Sequence, residues 1–189
     1  MYPTLEIITG LLFAASYFLH PFIEPVNLYF NETSFVLYLL AVFYIFVLVF
    51  TFFYDLHYME VADEILLPAI VIGLIATIGY PFTPHIIDSL LGAGIGISFF
   101  GVQYLVSKGK WIGLGDLRIG AFMGVILGWQ LVLVALFISY FVGSIISIGI
   151  IIHKKKAFGV RVPLAPFLVT GTIITMFYGE KLLTMYLAI

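Results

Sequence analysis

The chain has 189 residues, no cysteine and a formal net charge of -2, with 63% of its residues apolar and only 10% charged. Soluble domains carry roughly a quarter charged residues. This balance, with a mean hydropathy of +1.20, excludes a soluble globular enzyme and a basic nucleic-acid-binding module, and it points to an all-α, polytopic membrane protein. Without cysteine there is neither a disulfide framework nor a thiolate-ligated zinc site.

Apolar runs fall at about 4–20, 33–54, 65–81, 87–106, 112–128, 129–152 and 164–179. Crossing a hydrocarbon core takes about 20 helical residues, and most of these runs qualify. The connections are too short to fold alone, so 1–189 reads as one membrane-embedded domain. The first run has no basic region before it and no small-residue cleavage site after it, which is the pattern of a retained helix and not of a signal peptide. Leu117 to Ile152 would make one helix about 54 Å long, too long for one crossing. A turn at Gly128-Trp129-Gln130 divides it and raises the count from six helices to seven.

Basic residues test that division. With seven helices and the amino terminus inside, Lys108, Lys110, Arg118, Lys154, Lys155, Lys156 and Arg161 lie on the cytoplasmic side, and only Lys181 lies outside. This asymmetry follows the positive-inside rule, and a single 117–152 span would abolish it.

The same topology places two acids at one membrane face. The second helix delivers Asp55 at its cytoplasmic end, and Gly113-Leu114-Gly115-Asp116 opens the fifth helix from that side. An acid at the membrane edge marks a functional site. Two such carboxylates brought together can share a proton, one activating water and the other protonating a substrate group. Asp116 at a helix amino terminus is expected to be the ionised base and Asp55 at a helix carboxyl end the protonated acid, although a dyad shares its titration.

The run Asp55-Leu-His-Tyr-Met-Glu-Val-Ala-Asp63-Glu-Ile-Leu-Leu-Pro68, followed by Gly-Leu-Gly-Asp116, resembles the type IV prepilin peptidases, the GxGD membrane aspartic proteases of bacteria and archaea. Tyr2-Pro3-Thr4-Leu5-Glu6, Gly128-Trp129-Gln130 and Val162-Pro163-Leu164-Ala165-Pro166-Phe167 resemble further family motifs. The resemblance covers nearly the whole chain. It implies Asp55 and Asp116 as the catalytic pair and a prokaryotic cytoplasmic-membrane location with the site at the cytoplasmic face. The implied substrate is a prepilin, pseudopilin or archaellin precursor of type IV pili or type II secretion, cut after a glycine behind a short basic leader. Ala62-Asp63 and Arg118 stand where the family usually has Pro-Asp and lysine. The Cys-rich zinc segment tied to amino-methylation in many bacterial members is missing, so a short form with peptidase but not methyltransferase activity is expected. No cofactor or metal is called for.

Gly113 and Gly115 are read as keeping the approach to Asp116 flexible, and Arg118 and Lys110 as near enough in sequence to bias the charge of the Asp55–Asp116 pair. Glu60, Asp63 and Glu64 make the 55–64 loop acidic, suited to attracting a basic leader. Asp63 also fits a cap on the third helix, Asp88 a cap on the fourth, and Glu6 a structural pair. His57 is two residues from Asp55, whereas His20, His85 and His153 show no ligand spacing with it or one another. Asn31-Glu32-Thr33 fits an external glycosylation acceptor. Gly120, Gly124 and Gly128 on the fifth helix, with Gly92 and Gly96 on the fourth, predict close helix packing within one chain. The reading from another class is a small transporter or scaffold whose acids bind protons or ions.

Overall fold

The computed structural model describes residues 2–19, 32–79, 84–154 and 163–187. They form six helical elements with no strand among the described residues: α1 (Tyr2–Leu19), α2 (Glu32–Tyr58), α3 (Asp63–Gly79), α4 (Ile86–Ser107), α5 (Leu114–Lys154) and α6 (Ala165–Leu187). Apolar runs this long become helices because a backbone with no water around it must satisfy its N–H and C=O groups within its own segment. Among the described residues, three stretches are long and apolar enough to cross a membrane: Phe35–Tyr58, Ile86–Ser107 and Leu114–Gly149.

α5 is broken at Gly128, whose backbone (φ 76°, ψ 176°) is not helical. Side chains on either side of the break show that the chain turns back there. Before it, α5 runs antiparallel to α4: the Ser89 hydroxyl donates to the Val125 carbonyl at 2.8 Å, and Gly96 lies on Gly120. Gly128 sits beside Pro84 and Asp88, at the start of α4. After it, Tyr140 has returned to the far end of α4, where its hydroxyl donates to Gln103 Oε1 at 3.1 Å. The turn expected at 128–130 is therefore present within what is otherwise continuous helix.

Glycine makes the α4–α5 seam possible. A Cβ at Gly92, Gly96 or Gly124 would run into backbone of the facing helix, so α4 and α5 pack main chain against main chain, as small residues allow in membrane bundles. The buried core continues from that seam through Phe100, Phe122, Ile119, Leu168 and Val132 to the α2 residues Ile45 and Leu48.

Several sequence expectations change. α6 runs to Leu187 and not to about 179. Glu180 and Lys181 end the apolar run, but helical hydrogen bonding continues past them. Asp88 does not cap α4: the cap position is His85, without a side-chain bond, and Asp88 lies in the first turn. Glu6 is exposed and makes no ion pair among the described residues. His20, Asn31, Lys155, Lys156, Arg161 and Val162 lie outside the described residues.

Candidate active site

One end of the bundle collects the carboxyl ends of α2 and α4 and the amino ends of α3, α5 and α6. α4 closes with Lys108 in a left-handed conformation (φ 51°, ψ 43°), its N–H returning to the Leu105 carbonyl. Gly109 (φ 73°) follows, its N–H donating to the Tyr104 carbonyl at 2.9 Å. This reversal aims the short 108–113 loop back at the bundle, and α5 begins at Leu114.

Asp116 occupies the first turn of α5. Its Oδ2 accepts the Gly113 N–H at 3.0 Å, while its own N–H donates to the Gly113 carbonyl at 3.2 Å. This reciprocal pair is the acidic half of a capping box, so the helix start that exposes the acid also fixes its orientation.

Asp55 lies one turn before the end of α2 and is 7% exposed. Its Oδ2 accepts the Ala165 N–H at 3.0 Å. Ala165 opens α6 directly after Pro163-Leu164, and Pro166 can donate nothing, so a free first-turn N–H is left for a partner outside the helix. Asp55 is thus held at the amino terminus of another helix. The contrast drawn from sequence between a base at a helix start and an acid at a helix end does not hold, because both carboxylates face amino-terminal N–H groups.

The two acids share this end of the bundle. Asp55 is tied to the start of α6 and Asp116 to the start of α5, and no hydrogen bond joins the two carboxylates among the described residues. Each acid has one oxygen held by a backbone N–H and a second oxygen not committed to the backbone.

The supporting residues divide. Val61 lies on Gly115, where a Cβ would come within 2.5 Å of a Val61 methyl. Gly115 is therefore a close-approach glycine and not a flexible joint. A Cβ at Gly113 would meet Asp116 Oδ2 at 3.8 Å and the Gly115 nitrogen at 3.9 Å, both ordinary contacts, so space does not require that glycine. Asp63 does not cap α3 with its side chain; its Oδ2 pairs with the Arg118 guanidinium, and its Oδ1 is buried without a partner. Arg118 thus faces Asp63 and not the two central acids, and Lys110 is exposed. Glu60 and Glu64 are exposed at the rim. His57 is also exposed, its ring beside Tyr58, with no bond to Asp55 among the described residues.

Sequence reasoning missed two residues here. Tyr140 bonds Gln103, whose Nε2 donates to the Phe99 carbonyl at 3.0 Å. The Phe99 ring meets the Tyr140 ring edge to face at 5.4 Å. Two polar side chains 37 positions apart in otherwise apolar helices were the available signal.

Comparison with known proteins gives a match to the type IV leader peptidase family over residues 41–148, a span that includes Asp55 and Asp116. Among curated proteins, the chain is similar to the prepilin leader peptidase/N-methyltransferase of Aeromonas salmonicida, with 30% identity over 145 residues, 75% of this chain and 50% of the relative. It is similar to that of Bacillus subtilis at 27% over 187 residues, 99% of this chain and 70% of the relative. For the Legionella pneumophila protein the identity is 30% over 152 residues, 79% of this chain and 53% of the relative. The chain spans about half the length of the Aeromonas and Legionella proteins it matches. No solved structure matches it.

Proposed function

The chain belongs to the type IV leader peptidase family, and on that premise we propose that it is a membrane aspartic endopeptidase that removes the basic leader of prepilin-like precursors. The observation that carries the reading is the placement of Asp55 and Asp116 at one end of the bundle, each anchored by one backbone N–H. Water between the two carboxylates attacks the scissile carbonyl. One Asp, as the carboxylate, takes the water proton while the other, as the carboxylic acid, donates to the carbonyl oxygen, and the proton taken from water then passes to the leaving amine as the tetrahedral adduct collapses. No covalent enzyme intermediate forms.

The chain sits as one multi-pass domain in a prokaryotic cytoplasmic membrane, with seven crossings and the amino terminus inside. Lys108, Lys110 and Arg118 lie at the end of the bundle that holds the acids, whereas Lys181 lies about 24 Å along α6 from Ala165. This distribution supports placing the site at the cytoplasmic face. Precursors of type IV pilins, archaellins and secretion pseudopilins fit as substrates, and the proposal is confined to the peptidase reaction. Incubating a prepilin with membranes carrying the chain tests it. A shortened product is expected, and a precursor left unprocessed under conditions where the protein is present and folded contradicts the reading.

The exposed acids at the rim give a second expected result. Glu60 and Glu64 set the charge that a basic leader meets on approach, and rim charges act mainly on encounter and its salt dependence. The Glu60→Gln/Glu64→Gln double variant is expected to raise KM for a basic-leader precursor about 5-fold at low salt and to flatten its dependence on salt, with kcat unchanged. An unchanged KM at every salt concentration removes these two residues from recognition.

A further inference from the structure

α2 and α5 carry the two acids, yet their backbones do not run close together along their length. Their ring contact, Tyr44 against Phe122 at 5.9 Å, lies deeper among the helices. The distance from Asp55 to Asp116 is therefore set through intermediaries. One is α6, through Ala165. The other is the 59–63 segment, which leaves α2 just past Asp55 and touches α5 on both sides of Asp116. Val61 lies on Gly115, the residue before it, and Asp63 pairs with Arg118, two residues after it. The segment has its own fixed geometry: Met59 takes a left-handed backbone (φ 53°) with its N–H returned to the Asp55 carbonyl at 2.9 Å. Four residues, 59–62, join α2 to α3, so fixing Val61 and Asp63 on α5 leaves the end of α2 little freedom.

We propose that the Val61–Gly115 contact and the Asp63–Arg118 ion pair form a clasp that sets the spacing of Asp55 and Asp116, which makes Asp63 and Arg118 positioning residues. The pair is 40% and 38% exposed, and half-exposed pairs contribute little to stability. Its value lies in geometry, since a misplacement of about 1 Å between reacting groups costs about 10²-fold in rate. Asp63 acts here through Arg118 and not as a third acid on the substrate.

The kinetic arm of the test rests on the peptidase reading, and a second arm does not. In purified protein acting on a prepilin precursor, Asp63→Asn and Arg118→Gln are each expected to lower kcat by about 10- to 10²-fold with KM unchanged. The exchange Asp63→Arg with Arg118→Asp restores most of the loss. Gly115→Ala lowers kcat as well, and adding Val61→Ala recovers it. The absence of native cysteine allows spin labels to be placed at exposed Leu56 and Leu114 for a pulsed electron-spin distance measurement. The parent gives a narrow distribution, the single variants a broader or longer one, and the charge exchange a narrow one again. Single variants with parental kcat and parental distances overturn the clasp. A loss of kcat with unaltered distances overturns it too, by assigning Asp63 or Arg118 a chemical role. If the parent cuts no precursor, the peptidase reading fails, while the distances still decide whether the clasp exists.

Discussion

Asp116→Asn is expected to lower kcat for precursor cleavage by about 10³-fold or more, and Asp55→Asn to do the same, because the loss of one positioned acid–base group removes about 10²- to 10⁴-fold. Each substitution is nearly isosteric. An asparagine oxygen at 116 still accepts the Gly113 N–H, and one at 55 still accepts the Ala165 N–H, so the helix starts survive and only proton transfer is lost. KM and thermal stability should therefore stay close to the parent. Alanine separates the two positions. Asp55→Ala leaves the buried Ala165 N–H without a partner, which costs about 1–3 kcal/mol, whereas the Gly113 N–H is exposed and water replaces Asp116. Rate measurements beside thermal unfolding in detergent check both halves. A variant at either position that cuts at the parental rate removes that residue from catalysis.

Gly128→Val is expected to unfold the α4–α5 hairpin. Its φ of 76° with ψ of 176° falls in a region that is essentially glycine-only, and other residues held there cost about 1–3 kcal/mol. Space adds to the cost, because even a Cβ at this position would lie 3.3 Å from Pro84 and 3.7 Å from Asp88, and valine adds two methyl groups. The two halves of α5 depend on this one residue for their reversal, so Tyr140 would leave Gln103 and Phe99 on α4. A loss of about 3 kcal/mol or more in unfolding free energy is expected, together with loss of cleavage. Parental stability in the valine variant would show that the reversal does not depend on glycine.

Much of the fold was legible in the chain. Apolar run length gave the helices to within a few residues, except at the end of α6, where a charged pair interrupted the hydropathy but not the helix. The break at Gly128 followed from length and from the distribution of lysine and arginine, two properties that local propensity does not carry. Asp55 and Asp116 could be singled out because each stands at the end of an apolar run in a recognisable spacing. The partners of those acids could not. Ala165 is 110 positions from Asp55, and no periodicity announces that its N–H closes over the carboxylate. Arg118 is near enough in sequence to bias the charge of the two acids, yet helical geometry turns a residue two positions on to another side of the helix, where it meets Asp63. Gly115 was read as flexible because glycine often is, whereas the facing Val61 gives it a packing reason instead. In each case the missing information is distance across the bundle.

The most direct measurement is a mass-spectrometric cleavage map made with the purified chain in liposomes, run beside the Asp55→Asn/Asp116→Asn double variant on one prepilin precursor. The account predicts a single cut by the parent between the basic leader and the apolar segment, and intact precursor with the double variant. The same cut appearing with both proteins, or an intact precursor with the folded parent, would contradict it.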